Sequence, residues 1–192
     1  GTKKHKIESV DAANLNINWK SLCWQMRRVL KLNCHLYMFT SEVLLFRLYP
    51  IMKDMGFKLN QILIWSKNRP TFDMTYGLKY KYKHELIAFY TIGHKKLIKR
   101  PNQYTVFNHA IMGEQQYYIH PTQKPINVIR ELILNSSKEK DIVLDCFAGS
   151  GTTAVACKEL GRDFIGFEIS DEYYRKINER LQQSNLIENN WF

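Results

Sequence analysis

The stretch Ile142-Val-Leu-Asp-Cys-Phe-Ala-Gly-Ser-Gly151, together with Phe164-Ile-Gly-Phe-Glu168 further along the chain, decides the fold. In the first segment a short apolar run leads into a turn of small residues. Residues 152–160 then predict a helix that ends at Gly161, and the second segment predicts a strand that ends at an acid. Strand, glycine loop, helix and strand form a parallel β-α-β unit with a right-handed crossover. We therefore predict an α/β fold with a mostly parallel sheet and helices on both faces.

The glycine loop and the acid after the second strand indicate a binding site for an adenosine-containing cofactor. Gly149 and Gly151 stand where a strand gives way to a helix, and without a Cβ the backbone can turn tightly and a ligand can approach closely. Glu168 lies 19 residues after Gly149, at the tip of the next strand. A carboxylate at this position can accept hydrogen bonds from both hydroxyls of a ribose.

The same loop has a second interpretation, because Gly149, Gly151 and Ala154 also satisfy the G-x-G-x-x-A pattern of dinucleotide enzymes. Asp145 argues against that interpretation, since an acid at the strand end would repel a pyrophosphate but could accept a hydrogen bond from an ammonium group. The sequence also has no Gly-Lys-Ser/Thr triplet that would form a phosphate loop. A cofactor with an amino-acid moiety and no phosphate is favoured, and a dinucleotide oxidoreductase is the alternative.

Hydropathy predicts further helices and strands on both sides of this unit. They are a helix from Trp19 to Leu30 capped by Asn18, a strand over 34–39, a helix over 43–55 ended by Gly56, strands over 59–65 and 84–92, a helix opened by Pro125, and a last helix capped by Ser170. Pro50 lies inside the second helix, so we expect a kink or an early break there. Residues 66–83 and 94–119 are long irregular segments, which in a compact domain are usually functional or disordered.

The net charge of +10 is concentrated in the middle of the chain. Residues 58–100 contain 10 basic and 2 acidic side chains, whereas residues 101–192 contain 9 and 12. Aromatic side chains, among them Trp65, Tyr80 and Tyr82, are interleaved with these cations. Such a mixture suits a polyanion that has stackable bases, and the alternative is a solvated basic surface that aids solubility.

The sequence contains no signal for a membrane segment, a secretory leader or a metal site. No apolar run approaches the roughly 20 residues that span a bilayer, and no apolar signal core follows the N-terminus. We therefore expect a cytoplasmic protein that has no contact with a membrane. Because Cys23, Cys34, Cys146 and Cys157 show no C-x-x-C spacing, we predict four reduced thiols and no bound metal.

Two motifs, separated by one helix and one strand, resemble those of a known family. Asp145-Cys-Phe-Ala-Gly-Ser-Gly-Thr-Thr153 is similar to the cofactor loop of S-adenosylmethionine-dependent DNA amino-methyltransferases. In that family a segment His-Pro-Thr-Gln-Lys-Pro precedes the loop, and residues 120–125 match it in every letter. The order of the motifs resembles the circularly permuted beta class, in which the catalytic half comes first. The resemblance covers essentially all of residues 19–183.

The resemblance implies a Rossmann-like methyltransferase sheet in a single domain, residues 1–192. Residues 1–93 would form the catalytic half, residues 66–83 and 94–119 the basic and aromatic DNA-recognition loops, and residues 120–192 the cofactor-binding half. The implied activity is methylation of the exocyclic amino group of adenine in DNA, after the base has been flipped out of the duplex. Methylation of cytosine at its exocyclic amino group, and an inactive module that binds cofactor or DNA, are the alternatives.

The implied partners are S-adenosylmethionine as cofactor and double-stranded DNA as substrate. Bacterial and phage enzymes of this kind often belong to restriction-modification systems, and small ones often dimerise. A restriction endonuclease and a second copy of the chain are therefore considered as further partners.

Residue by residue, the resemblance assigns contacts with the cofactor and with DNA. Asp145 would contact the methionine amino group, Glu168 would hold the ribose and Ile169 would flank the adenine. The full cofactor set is His120, Thr122, Gln123, Lys124, Asp145, Phe147, Ala148, Gly149, Ser150, Gly151, Thr152, Thr153, Glu168 and Ile169. The DNA set is Trp65, Lys67, Asn68, Arg69, Lys79, Lys81 and Lys83. Alternatively, Trp65 anchors the sheet edge, and the lysines of 79–83 protect an edge strand.

The residues that would perform the chemistry are expected outside this stretch. In the family an Asp-Pro-Pro-Tyr or Ser-Pro-Pro-Tyr tetrapeptide provides the acceptors for the amino group and an aromatic face for the flipped base. No Pro-Pro pair occurs in the 192 residues, and Gly1-Thr2 resembles the residues that come directly after that tetrapeptide in the family. We therefore expect the tetrapeptide and two more strands upstream of Gly1, or alternatively a truncated gene product. A protein that began at Gly1 would bind the cofactor at best and would not turn over.

Overall fold

The helices and strands follow the order that the hydropathy pattern predicts, with one addition, a strand of two residues within the segment 94–119 that was predicted to be irregular. The computed structural model describes residues 17–67, 80–94, 97–100, 104–108 and 122–188. The elements in these ranges are α1 (Trp19–Val29), β1 (Cys34–Thr40), α2 (Glu42–Asp54), β2 (Phe57–Ser66), β3 (His84–Ile92), β4 (Val106–Phe107), α3 (Ile126–Ser136), β5 (Ile142–Asp145), α4 (Thr152–Glu159), β6 (Asp163–Gly166) and α5 (Asp171–Glu188).

The contacts group the chain into two compact units. One unit comprises residues 16–111, and the other comprises residues 1–15 and 112–192. The boundary falls within the second predicted recognition loop, residues 94–119. The prediction of a single domain over 1–192 stays a prediction.

The sheet of unit 16–111 has the order β1-β3-β2-β4, and its strands are mixed in direction. β3 runs antiparallel to both β1 and β2, and only the short β4 pairs in parallel with β2. The prediction of a mostly parallel sheet is therefore wrong for this unit. The helix α2 crosses over from β1 to β2, which run in the same direction. β3 instead returns between them after residues 67–83, whose described members form no helix.

The core of this unit lies between the sheet and the helices α1 and α2. The buried residues are Trp19, Cys23, Leu44, Leu48, Met52, Phe57, Ala88, Tyr90 and Ile92. The cap predicted for α1 is present, because Asn18 Oδ1 accepts a hydrogen bond of 3.0 Å from Ser21 N. Burial of these side chains fixes both helices on one face of the sheet.

Helix α2 continues through Pro50, so the predicted break at this proline is wrong. Ser41 caps the helix at its start by accepting a hydrogen bond of 3.3 Å from Leu44 N, and Gly56 follows its end with φ of +83°. Pro50 has no N–H to offer the carbonyl of Phe46, one turn earlier. Both residues are exposed, so water can satisfy that carbonyl and the helix tolerates the proline.

The second unit contains the predicted β-α-β arrangement. β5 and β6 pair in parallel, with Val143 opposite Phe164 and Asp145 opposite Gly166, and α4 connects them. Helix α3 packs against α4 with a buried apolar face, and Arg130 Nε donates a hydrogen bond of 2.7 Å to Glu159. The parallel pair predicted from residues 142–168 is confirmed.

A membrane-spanning helix and a metal site are both absent from the described ranges. No helix in them is both long enough and apolar enough to cross a membrane. No group of three or more His, Cys, Asp or Glu side chains in the same ranges is arranged to hold a metal ion.

Candidate functional site

The carboxyl ends of β5 and β6 lie side by side, and the glycine loop begins there. Because the strands are parallel, Asp145 at the end of β5 pairs with Gly166 at the end of β6. Gly149 and Gly151 have φ of +54° and +72°, in the left-handed region that favours glycine. These two residues turn the chain sharply from β5 into α4.

Asp145 is held in place by the loop that it precedes. Its Oδ1 accepts a hydrogen bond of 3.0 Å from the backbone N–H of Phe147, and its Oδ2 accepts one of 2.7 Å from the hydroxyl of Thr153. A carboxylate offers about four acceptor positions, so two of them remain available for a ligand. The carboxylate is thus oriented and can still accept a hydrogen bond from an ammonium group.

Glu168 joins the tip of the second strand to the glycine loop. Its Oε2 accepts a hydrogen bond of 2.8 Å from the backbone N–H of Gly149, and its Oε1 accepts one of 2.9 Å from Ser170 N. The sequence predicts that these two residues face the same ligand, and the structure places them in direct contact. The contact also gives Glu168 a second role, because it fixes the shape of the turn.

The predicted cofactor residues differ in how much side chain they expose. Phe147 is 54% exposed and Ile169 is fully exposed, so both present apolar surface to a ligand. Ala148, Ser150 and Thr152 are buried instead. These three residues therefore present almost no surface to a ligand.

Ala148 is buried because it supports the loop from inside the unit. It packs in a small core with Ala154 and Ile177, and its N–H donates a hydrogen bond of 2.9 Å to the carbonyl of Phe167. This bond ties the loop to the end of β6. Gly151 lies on the same core, and a Cβ on it would come within 3.0 Å of the side chain of Ile177.

Arg180, on α5, supports the loop as well, and sequence reasoning did not identify it. Its Nη1 donates hydrogen bonds of 3.0 Å to the carbonyl of Ser150 and 3.2 Å to the hydroxyl of Thr152. The hydroxyls of Ser150 and Thr152 are also 3.0 Å apart. Arg180 lies 30 residues after Ser150 without a local motif. The sequence signal that could have identified Arg180 is its spacing from the apolar Ile177, because that spacing places the two side chains on one face of the helix.

The side chains of the two threonines at the start of α4, Thr152 and Thr153, thus have structural roles. The hydroxyl of Thr152 accepts a hydrogen bond from Arg180, and the hydroxyl of Thr153 donates one to Asp145. Among the described residues, no side chain caps α4 at Gly151. The positive end of the helix dipole therefore faces the loop and suits a carboxylate.

The thiol of Cys146, within the loop, is kept in its neutral form. Burial, followed by repulsion from the charge of Asp145, raises the pKa of Cys146 above its ordinary value. A thiol with a raised pKa is a poor nucleophile at neutral pH. We therefore do not expect Cys146 to act as a nucleophile.

The segment 120–125 is described only in part, because His120 and Pro121 lie outside the described residues. Thr122 is exposed, Gln123 is buried and Lys124 is half-buried. Pro125 precedes α3 as its cap residue. The predicted contacts of these residues with the cofactor stay predictions.

Of the predicted DNA contacts, Trp65 is buried at 1% exposure, and its burial favours the role of a sheet anchor over stacking on a base. The ammonium of Lys67 lies 5.0 Å from the Trp65 ring centroid and 3.8 Å from the Glu85 carboxylate. Lys67 is therefore held at the strand end by an ion pair and a cation–π contact.

Lys81 and Lys83 of the first recognition loop are exposed but do not lie on a strand. Lys81 and Lys83 precede β3, and Lys83 accepts a backbone hydrogen bond of 2.7 Å from Lys67 N. The alternative prediction of an edge strand over 79–83 is wrong for residues 80–83, because β3 begins only at His84. Asn68, Arg69 and Lys79 lie outside the described residues.

The chain resembles known DNA methylases in sequence. The sequence model described as DNA methylase, of the N6/N4 type, matches residues 2–179. The chain is 32% identical to the Type II methyltransferase M.HpaI of Haemophilus parainfluenzae, over 88% of this chain and 61% of that protein. It is 28% identical to the Type II methyltransferase M.HinfI of Haemophilus influenzae, over 90% of this chain and 54% of that protein. The chain thus spans a little over half the length of these relatives.

Solved structures show the same likeness. The crystal structure of the M1.HpyAVI-SAM complex superposes with a TM-score of 0.73 at 26% identity, covering 84% of this chain and 81% of that one. The PvuII DNA methyltransferase, which is cytosine-N4-specific, superposes with a TM-score of 0.63 at 18% identity, covering 77% of this chain and 61% of that one. The second comparison concerns the fold alone.

Proposed function

Because this chain belongs to the N6/N4 DNA methylase family, we propose that it forms the S-adenosylmethionine site of an enzyme that methylates the exocyclic amino group of adenine in DNA. The hydrogen bond from Gly149 N to Glu168 is the single observation that supports the cofactor site most strongly. It sets a carboxylate against a turn of small residues, at the shared carboxyl end of two parallel strands.

The charges around the loop fit this cofactor better than a dinucleotide. Asp145 and Glu168 bring two carboxylates to the loop, residues 145–153 contain no lysine or arginine, and the Arg180 guanidinium that contacts the loop is hydrogen-bonded to Ser150 and Thr152. A pyrophosphate would be repelled by this arrangement, whereas S-adenosylmethionine has a cationic sulfonium and an ammonium group and no phosphate. The arrangement therefore counts against the dinucleotide oxidoreductase.

Each part of the cofactor has a matching group in the second unit. Asp145 would accept hydrogen bonds from the ammonium group, and Glu168 would accept them from the ribose hydroxyls. Phe147 and Ile169, whose side chains are exposed, would cover the adenine. The start of α4 would face the carboxylate of the methionine moiety. When bound, S-adenosylmethionine supplies an activated methyl group on sulfur.

Transfer to DNA needs acceptors that orient the target nitrogen, whose lone pair is otherwise delocalised into the base. By resemblance these acceptors belong to an Asp-Pro-Pro-Tyr segment, and the 192 residues contain no Pro-Pro pair. Methyl transfer is therefore proposed for a protein in which this chain works together with such a segment, in the permuted order. In the cytoplasm of a bacterial or phage-infected cell, a restriction endonuclease and a second copy of the chain are its proposed further partners.

Methylation of cytosine at its exocyclic amino group is the second candidate. Two observations favour it. The family includes N4 as well as N6 enzymes, and a cytosine-N4-specific methyltransferase shares the fold. The proposed chemistry at the cofactor is the same for both targets. The two candidates differ only in the base that is flipped into the site.

The test is a methyl-transfer assay on the protein that contains this chain, with isotopically labelled S-adenosylmethionine and genomic DNA. Nucleoside mass spectrometry after digestion then distinguishes the products. N6-methyladenine supports the first proposal and N4-methylcytosine supports the second. Binding of NAD without binding of S-adenosylmethionine, measured by calorimetry, would overturn both.

A further inference from the structure

The outer face of α1 combines positive charge with an exposed tryptophan. Lys20, Trp24 and Arg28 follow one another at intervals of four residues, so they lie along one side of α1, and Lys31 comes directly after the extended cap residue Leu30 at the end of the helix. All four are exposed, whereas Trp19 and Cys23 on the opposite side are in the core. We call these four residues the α1 outer face.

The charge of this region is unbalanced. Residues 17–41 contain four basic side chains, the three of the α1 outer face and Arg27, and no acidic side chain. None of the four forms an ion pair with a carboxylate of the described residues. Arg28 donates a hydrogen bond of 2.9 Å to the neutral side chain of Gln25. The α1 outer face therefore presents positive charge that no carboxylate of the described residues neutralises.

Helix stability does not explain this arrangement. Arg27 and Arg28 lie in the last turn of α1, where cations favour the helix dipole. Lys20, however, lies in the first turn, where a cation is unfavourable, and that turn contains no acid. A surface selected only for helix stability would have the opposite charge at this end.

Trp24 adds an aromatic surface beside the lysine. Its side chain is 51% exposed, and it lines a shallow depression of about 330 Å³ together with Asn18, Lys20, Ser21 and Met55. An indole next to an ammonium suits a ligand in which apolar rings alternate with negative charges. A nucleic-acid backbone, with its sugars and phosphates, has this chemistry.

The end of α1 is fastened to the start of the second predicted recognition loop. Asn33 N donates a hydrogen bond of 2.8 Å to Ile92 O, and Asn33 Oδ1 accepts one of 2.7 Å from His94 N. Gly93 has φ of +77°, and a Cβ there would lie 2.8 Å from Asn33 Oδ1. Asn33, two residues after Lys31, is therefore bonded to the chain where the second predicted recognition loop begins.

We propose that the α1 outer face binds the sugar–phosphate backbone of DNA next to the recognition site. The proposed contact is separate from the contacts of the loops that are predicted to read base edges. It rests on the proposed function in one respect, namely that the polyanion is DNA. Phosphate contacts fix position and affinity without reading sequence. Each neutralised phosphate releases counterions, so the contact contributes to the salt dependence of binding.

The experiment compares two double variants of the complete protein. Lys20→Gln/Lys31→Gln removes two cations from the α1 outer face, and Lys138→Gln/Lys140→Gln removes two exposed cations from the other unit. Affinity for a short labelled duplex of random sequence is measured by fluorescence anisotropy between roughly 50 and 200 mM salt. The first variant is expected to reduce the slope of log K against log salt by about 2, and the control to leave it unchanged.

Two further measurements separate the causes of failure. S-adenosylmethionine affinity should be the same in both variants, and quenching of tryptophan fluorescence by DNA should be reduced in Trp24→Phe. Equal slopes for the two variants, in a protein that binds DNA and cofactor normally, would overturn the inference and leave the proposed function intact. A wild-type protein that binds neither ligand would overturn the proposed function. If the first variant changed the oligomeric mass of the protein but not the slope of log K against log salt, the α1 outer face would contact a second copy of the chain instead of DNA.

Discussion

The guanidinium of Arg180 lies 3.0 Å from the carbonyl oxygen of Ser150, so the last helix holds the glycine loop from behind. The same group donates a hydrogen bond of 3.2 Å to the hydroxyl of Thr152. One turn earlier on α5, Ile177 packs where a Cβ on Gly151 would intrude. The loop shape therefore depends on a helix that contains none of the recognised motifs.

Replacing Arg180 by methionine should weaken the unit and its affinity for S-adenosylmethionine together. The change leaves the carbonyl of the buried Ser150 without its charged donor, which costs about 1–3 kcal/mol of unfolding free energy. Chemical denaturation and calorimetry measure the two effects. Arg175→Met, at an exposed position of the same helix, is the matched control. Equal stability and equal affinity in the two variants would show that Arg180 does not support the loop.

Gly151→Ala and Gly161→Ala separate backbone strain from crowding in the loop. Both glycines have a left-handed φ, +72° and +68°, so alanine costs about 1–2 kcal/mol at either position. At Gly151 the new methyl group also meets Ile177 at 3.0 Å, whereas at Gly161 the nearest atom is 3.5 Å away on the flexible side chain of Glu139. Gly151→Ala should therefore be the more destabilising change in urea unfolding.

Shortening the neighbouring side chain checks this explanation. Ile177→Ala removes both γ carbons that the new methyl group would meet, so it should recover part of the extra loss in Gly151→Ala and none of the loss in Gly161→Ala, as measured in a double-mutant cycle. If both glycine variants lost the same stability, crowding by Ile177 would make no contribution.

Tyr90, in the core of the first unit, should make unfolding dependent on pH in the alkaline range. Burial, followed by the charges of Cys23 and Tyr49, raises the pKa of Tyr90 to about 12 from its ordinary value of 10.0. The folded protein thus favours the neutral phenol. The associated stability is present in full below pH 10 and is lost as the pH rises towards 12.

Tyr90→Phe should remove this dependence and should not destabilise the protein at neutral pH. The Tyr90 hydroxyl is fully buried, and within the described part of the chain it has no hydrogen-bond partner. Its removal therefore relieves the cost of an unsatisfied polar group, about 1–3 kcal/mol. Urea unfolding at pH 7 and pH 11 measures both effects, with Tyr49→Phe, at a half-exposed position, as the control. A loss of stability at pH 7 would mean that the hydroxyl has a partner.

Much of the second unit could be predicted, because its determinants are local. The turn at Gly149 and Gly151, the strand before it and the acid after it follow from residue types at fixed spacings, whereas the direct hydrogen bond from Gly149 N to Glu168 was not predicted. Arg180 was not predicted, because its contact with Ser150 depends on how α5 packs. No spacing rule gives that packing.

The first unit was predicted less well, for a related reason. The strand 84–92 has the bounds of β3, but its direction depends on the path of residues 67–83, so hydropathy could not show that it runs antiparallel. The break expected at Pro50 was wrong because the rule that proline breaks a helix does not consider that water can satisfy the carbonyl group left without a donor. An exposed turn of helix loses one hydrogen bond and still forms when the opposite side is buried in a core.

The most direct test is calorimetric titration of S-adenosylmethionine into the wild-type protein, Glu168→Gln and Glu168→Ala. We expect about tenfold to hundredfold weaker binding for Glu168→Ala, since the hydrogen bonds to the ribose and the acceptor that holds Gly149 N are both lost, and an intermediate loss for Glu168→Gln. Glu172→Ala, which removes an exposed acid from the first turn of α5, should bind as the wild type does. Wild-type affinity in Glu168→Ala, with the fold intact by circular dichroism, would contradict the proposed cofactor site.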